Sequence, residues 1–411
     1  MKMTKAILTS AVVALAAICF TGLPASSASD AKSAVTFTKD VAPILYNNCV
    51  SCHRPDEIGP MSLITYKQTR PWARSIKEKV ATRVMPPWHA DPNYGHFSND
   101  RRMSQKDIDT IVAWVDSGAA EGNPKDLPAV PEFSDGWGIG KPDAVFKLPK
   151  ENTVPADGVV AYQYFTVPTN FTEDKWIQAA EIRPDKRGVV HHIIVFMRKG
   201  TEQKLLVGYA PGEQPAIMAK GFAKKIPAGA DLIFQVHYTP NGVETKDQSL
   251  VGLVFAKQPP RNELETRPIM NMRFAIPPGD SNYKVESSFV FPEDGEIHSL
   301  MPHMHVRGKD FIYKATFPDG TSKVLLSVPK YDFAWQSYYI LKEPVRAPKG
   351  TRIDCVAHFD NSTANKYNPD PKKEVRWGDQ TWEEMMIGWM TFTFDSRAVK
   401  PSADAAVGQN K

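Results

Sequence analysis

The sequence predicts a multidomain chain, a small all-α domain followed by two tandem all-β, jelly-roll-like sandwiches. Three observations carry this. Two amphipathic helical stretches are confined to the first 120 residues. After them, short β-branched runs alternate with turns. The chain also holds 34 prolines in 411 residues, which suits loop-rich β architecture better than long helices. A net charge of +4 over this length, with no basic cluster interleaved with aromatics, gives no reason to expect a nucleic-acid partner.

Residues 1–29 have a secretory layout: Lys2 and Lys5, an apolar run over 6–20, then the small residues Ala25, Ser26, Ser27 and Ala28. An exported, periplasmic or secreted protein is expected. Ile18 precedes Cys19 where a lipid-anchoring signal prefers a small residue, so removal by cleavage is expected. No later stretch is long and apolar enough to span a bilayer. The mature chain would keep Cys49, Cys52 and Cys355, and two of these belong to one motif, which argues against a disulfide framework.

That motif, Cys49-Val50-Ser51-Cys52-His53, is the C-x-x-C-H of c-type haem attachment. Two thiols at this spacing form thioethers with the two vinyl groups of one porphyrin, and the adjacent histidine reaches the iron. A helix capped by Thr38 is expected to run through Asp40, Val41 and Ala42 to Tyr46 and lead into the motif. Ser104 with Asp107 resembles a capping box, opening a second helix to about Ser117 with Ile108, Ile111, Val112 and Val115 on one face and Gly118 at its end. Residues 30–126 thereby resemble cytochrome c. Met85, between the helices, is the candidate sixth iron ligand, with Met61, Met103, His89 and His96 as alternatives. Residues 127–143, within a Pro-, Gly- and Asp-rich stretch, are a linker.

Beyond it, strands are expected at 159–167, 176–182, 189–197, 232–238 and 250–255, giving a first sandwich over 144–265. A second series at 273–276, 285–291, 296–305, 311–317, 323–328, 352–359 and 385–394 gives a second over 266–398, with a flexible tail at 399–411. Five of the ten histidines fall in these runs: His191, His192 and His237 in the first series, His303 and His305 in the second. Imidazoles in apolar strands are costly to bury unless something binds them, which argues for metal. His303 and His305, two apart, would share a face, whereas adjacent His191 and His192 can share a metal only at a bulge or strand end. A thioether from Met385, or from its neighbours Met386 or Met390, would complete a donor set suited to copper, especially Cu(I). Three histidines would also serve zinc. His298 and His358 read as core or surface histidines with a possible hydrogen-bonding or ligand role, and Tyr238 as strand packing.

In order, His191-His192, Gln235-Val236-His237-Tyr238, His303-Met304-His305 and Glu384-Met385 resemble the copper type II, ascorbate-dependent monooxygenases, among them peptidylglycine α-hydroxylating monooxygenase and dopamine β-monooxygenase. The resemblance covers about residues 144–396. It implies two copper ions: an electron-transfer copper on His191, His192 and His237, and a second copper on His303, His305 and Met385, where O2 and a small-molecule substrate meet and a C–H bond is hydroxylated. Asp379, Thr381, Glu383 and Glu384 then read as structural. The chain departs from the peptide enzyme at three polar contacts, which here are Met301, Ile387 and Trp389, so a less polar or differently charged substrate is expected. The family's disulfide is also broken, because Met386 stands opposite Cys355, which is expected to be a buried free thiol. With a haem in the same chain, electrons from a periplasmic donor would reach copper intramolecularly. The competing expectation is a copper- and haem-containing electron-transfer or copper-handling protein without oxygenase activity.

Overall fold

The computed structural model describes residues 35–55, 57–133, 136–210 and 212–399. The expected signal segment, Cys19 and all but the first residue of the expected tail lie outside them. A small helical region comes first, and a large all-β region with several sheets follows.

The helical region contains α1 (Ala42–Asn48), α2 (Tyr66–Thr69), α3 (Ala73–Ala81) and α4 (Gln105–Asp116). Thr38 does not cap the first helix. A π-helical turn, Phe37–Val41, precedes α1, and Thr36 stands at its start in extended conformation. The Thr36 amide donates to the Asp40 carboxylate at 2.8 Å, so the acid reaches back to the turn's first amide and Thr38 is drawn into the core. Ser104 does cap α4, accepting from the Asp107 amide at 3.1 Å. The buried face of α4 is Ile108, Ile111 and Trp114, while Val112 and Val115 flank it half-buried. Trp114 wins the central place because its indole N–H also finds a partner, the Ala120 carbonyl at 2.8 Å.

Among the described residues, the β region has four larger sheets, mainly antiparallel, and two two-stranded ones. Its strands of four or more residues are β1 (Ala144–Lys147), β2 (Gln163–Pro168), β3 (Lys175–Arg183), β4 (Val190–Lys199), β5 (Glu202–Tyr209), β6 (Phe222–Ile226), β7 (Asp231–Tyr238) and β8 (Leu250–Phe255). They continue with β9 (Glu265–Met270), β10 (Tyr283–Val290), β11 (Gly295–His303), β12 (Gly308–Thr316), β13 (Ser322–Val328), β14 (Tyr339–Ala347), β15 (Arg352–Phe359) and β16 (Ile387–Phe394). The orders are β1-β8-β3-β6, β2-β7-β4-β5, β9-β16-β11-β14 and β10-β15-β12-β13. The first two sheets enclose one apolar core, and the last two enclose another.

Five of these strands fall outside the runs expected from the sequence, among them the short β1. β9 and β14 contain Pro268 and Pro344, and both lie at a sheet edge, where a missing N–H costs no ladder bond. β5 and β6 are broken up by lysines, one of which, Lys224, is buried with its ammonium donating to the Leu205 and Leu206 carbonyls at 3.1 and 2.7 Å. Two strand ends also move. β11 stops at His303 and β16 begins at Ile387, so His305 and Met385 sit just beyond the ladder.

The helical region is keyed into the β region. Between α3 and α4 the chain leaves its own core, and Trp88, Ala90 and Phe97 enter the core of the third and fourth sheets. Phe97 pairs with Leu341, the Lys342 amide donates to the His96 carbonyl at 2.8 Å, and Asn99 donates to the Tyr338 carbonyl at 2.8 Å. Residues 88–99 thereby cover the outer edge of β14, which would otherwise present unpaired backbone groups.

A second tie is ionic. Arg101 lies 3.9 Å from Glu213, a carboxylate that burial pushes up to about 7 against the opposing pull of Arg101. A group raised in this way holds its proton when folded after the unfolded chain has lost it, so its contribution to stability fades as pH rises from the ordinary glutamate range to about 7.

Two predictions follow from these ties. Phe97→Ala should cost about 3–5 kcal/mol of stability by leaving a cavity in the β core, measurable as a lowered thermal midpoint in the β-sheet circular dichroism band. Comparing thermal midpoints across pH 4.5 to about 7, the decline seen in the unmodified chain should be smaller in Glu213→Gln, which has no proton to lose.

Candidate functional site

The attachment motif follows α1. The Cys52 and His53 amides both donate to the Cys49 carbonyl, at 3.1 and 2.9 Å, so the two thiols and the imidazole project from one tight turn. His53 Nδ1 lies 3.3 Å from the Met61 carbonyl, which leaves Nε2 for an iron atom, and burial lowers its proton affinity. Gly59 allows the loop to close over this ring, since a methyl there would stand 2.6 Å from His53 Nδ1. Both thiols are free, with Cys49 pushed up to about 12 by burial and then by Cys52. This is a donor set that fits a covalently held haem. Met85 is half-buried beyond α3, its amide donating to the Lys79 carbonyl at 3.1 Å. Met103 is buried in the helical core and Met61 packs against it.

The motif also faces the β region. Glu57 receives Arg54 at 2.6 Å and Arg187, from the loop before β4, at 3.0 Å. A methyl at Gly212 would stand 3.4 Å from Arg101, 3.5 Å from Cys52 Sγ and 3.9 Å from the Trp335 ring, so these three groups surround one point.

The first histidine group lies at the end of β4 and β7. His192 pairs directly with His237, and the register shifts between Val190 and His192. That irregularity turns His191 to the same side as its neighbour, with the two Nδ1 atoms 3.3 Å apart. One nitrogen from each of His191, His192 and His237 lies within 4.8 Å of the others. Nitrogens bound to one ion at about 2.0–2.1 Å stand no more than about 4.2 Å apart, so small ring rotations would close the set.

The second group lies at the end of β11. His303 and His305 have ring centroids 5.3 Å apart although the strand has ended between them. What holds them is polar. His303 Nδ1 is 2.6 Å from Gln336 Oε1, and His305 Nδ1 is 3.1 Å from the Glu383 carbonyl. Buried Glu384 accepts from the His305 and Arg307 amides at 2.8 and 2.7 Å, tying this turn to the residue before Met385. Since His303 pairs with Ile387 in antiparallel register, Met385 and Ile387 share the face that carries His303. The ligand-side role of Glu384, a carboxylate fixing the backbone of a histidine turn, was not legible in the sequence. Only its position beside Met385 pointed to it.

These two faces meet. Ile194, Phe196 and Leu205 on the second sheet pack with Met301, Met385, Ile387 and Trp389 on the third. At the end of this contact, Tyr162 lies 5.2, 4.7 and 6.4 Å from the rings of His192, His237 and His305, and Phe333 lies 5.2 Å from His191 and 5.8 Å from His305. Burial lowers all five histidines: His191 and His303 to about 4, His237 and His305 to about 3, and His192 well below the usual value. They are neutral at physiological pH, which is the ligating form. Among the described residues, His192 Nε2, His237 Nδ1 and His305 Nε2 are buried with no hydrogen-bond partner. Two groups of neutral imidazoles with unmet nitrogens have a donor chemistry that fits copper.

The other singled-out residues stand apart. His358 Nδ1 is 2.7 Å from Asp310, His298 is 3.3 Å from the Thr393 hydroxyl, and the Tyr238 hydroxyl donates to Asp247 at 2.8 Å. Cys355 is a buried free thiol.

No curated protein matches the chain. Among solved structures, the major capsid protein P2 from bacteriophage PM2 is 9% identical over 61% of this chain and 97% of that one, with a TM-score of 0.30. The infectious bursal disease virus Gx strain structure is 8% identical over 64% of this chain and 75% of that one, with a TM-score of 0.19. Likenesses this weak carry no argument. Among the described residues, no helix is long and apolar enough to cross a membrane. The cytochrome c family model matches residues 42–119, where the haem-attachment turn, its histidine and the closing helix all lie, so this part of the chain is a cytochrome c domain and implies covalently bound haem c.

Proposed function

We propose that the protein is an exported copper-dependent monooxygenase that hydroxylates a C–H bond of a small substrate with O2, drawing electrons from a periplasmic donor through its haem. In this reading two tandem sandwiches, 144–265 and 266–398, each carry one copper. The observation that carries it is the pair of buried, neutral imidazole groups with unpartnered nitrogens on two sheet faces that meet. His191, His192 and His237 would hold one ion, and His303, His305 and Met385 the other, with His53 and Met85 as the haem's axial ligands. Copper would supply one-electron exchange at the first group and O2 reduction at the second.

The chain's own residues supply the rest. Gln336 and the Glu383 carbonyl each take an Nδ1 proton, which presents the Nε2 of His303 and His305 to an ion. Glu384 fixes the turn between those histidines and Met385. Tyr162 and Phe333 close over the imidazoles and keep water out. Met301, Ile387 and Trp389 line the Met385 face with apolar surface, which favours an apolar C–H donor over a charged one.

The test is a metal count followed by reduction and admission of O2. Two coppers and one haem per chain are expected, with Met385→Ala slowing O2-driven re-oxidation by about tenfold or more. One copper or none, or an unchanged rate in that variant, would leave the electron-transfer or copper-handling reading instead.

A further inference from the structure

One irregular segment, residues 331–338, borders both histidine groups and the Gly212 position that Cys52 also borders. At its start the Tyr331 hydroxyl donates to the Met304 carbonyl at 2.7 Å and accepts from the Met304 amide at 3.1 Å, gripping the turn between His303 and His305. Phe333 then stacks on His191, its ring 5.2 Å away and tilted by only 20°. Trp335 reaches the opposite way, to the point beside Gly212 where Cys52 Sγ also lies. Gln336 returns to His303 at 2.6 Å. Beyond it, the Tyr338 carbonyl accepts from Asn99 of the helical region at 2.8 Å. A loop needed only to join β13 to β14 has no reason to set one aromatic ring beside the Gly212 position that Cys52 Sγ also borders and the ring two residues earlier against His191.

Resting on the copper reading above, we infer that residues 331–338 are the electron conduit of the chain, with Trp335 at the haem edge marked by Cys52 and Phe333 delivering to His191. The step moves one electron. Ferrous haem becomes ferric, Cu(II) held by His191, His192 and His237 becomes Cu(I), no proton transfers, and an external one-electron reductant such as ascorbate restores the ferrous haem. Phe333 also lies 5.8 Å from His305 and 6.4 Å from His237, so it borders both groups, as Tyr162 does.

The experiment uses the full chain, copper-free and reduced, mixed anaerobically with Cu(II) while the haem absorbance is followed. Copper content and haem midpoint potential are measured on the same samples. Both rings are half-buried, so Phe333→Leu and Trp335→Leu should fold. Each is expected to slow haem oxidation by about tenfold or more, with copper content and potential unchanged, and Trp335→Phe to recover most of the rate. Full copper binding with unchanged rates in both leucine variants would overturn the conduit while leaving the copper reading in place. An unmodified chain that retains no copper would overturn both.

Discussion

An imidazole taken out of water gives up its proton and is left with a nitrogen that wants a partner. Five such rings are gathered at the meeting edge of two sheets, and much of the surrounding structure answers to that. One nitrogen of His303 goes to Gln336 and one of His305 to the Glu383 carbonyl, while other ring nitrogens on three of the five histidines remain unmet. A stable protein does not assemble that many unsatisfied polar atoms in one dry place without compensation. The buried Glu384 side chain acts on the backbone, its two amide bonds fixing the turn that follows His303.

The cytochrome c domain is joined to this site by construction rather than by a tether. Residues 88–99 leave the helical core, bury Trp88 and Phe97 in the β core and pair along an edge strand, so the domain's orientation is fixed by hydrophobic burial. Ion pairs then set the fine position. Glu57 holds both Arg54 of the attachment turn and Arg187 of the loop leading into the first histidine strand. The thiol of Cys52 consequently faces the β region rather than solvent alone.

The sequence disclosed this arrangement unevenly. Local signals were legible: the C-x-x-C-H turn, the Ser104 cap, the strand over 250–255, and the condition that His191 and His192 could cooperate only at an irregularity, which the register shift supplies. Signals that depend on tertiary neighbours were not. Pro268 and Pro344 read as breaks because nothing in their own stretches marks an edge strand. Nothing local marks Lys224 as buried, because its carbonyl partners come from another strand. The segment 88–99 looked like a haem-side loop, since only the unpaired edge of β14, some 240 residues later, gives its aromatics a place. The expected cap, Thr38, is replaced by the Asp40 carboxylate, which accepts from the Thr36 amide.

The packing between the two sheet faces explains why the histidine groups are dry as well as where they sit. His192 and Ile194 alternate onto the same face of β4, and Met301 and His303 onto the same face of β11, so each of these histidines is continuous with an apolar residue. Pressing Leu205, Phe196 and Ile194 against Met301, Ile387 and Trp389 therefore closes both groups against water in a single act of burial. A polar grip at those positions would have let water follow it to the imidazoles. Their apolar character thus serves the electrostatics of the histidines through exclusion of water.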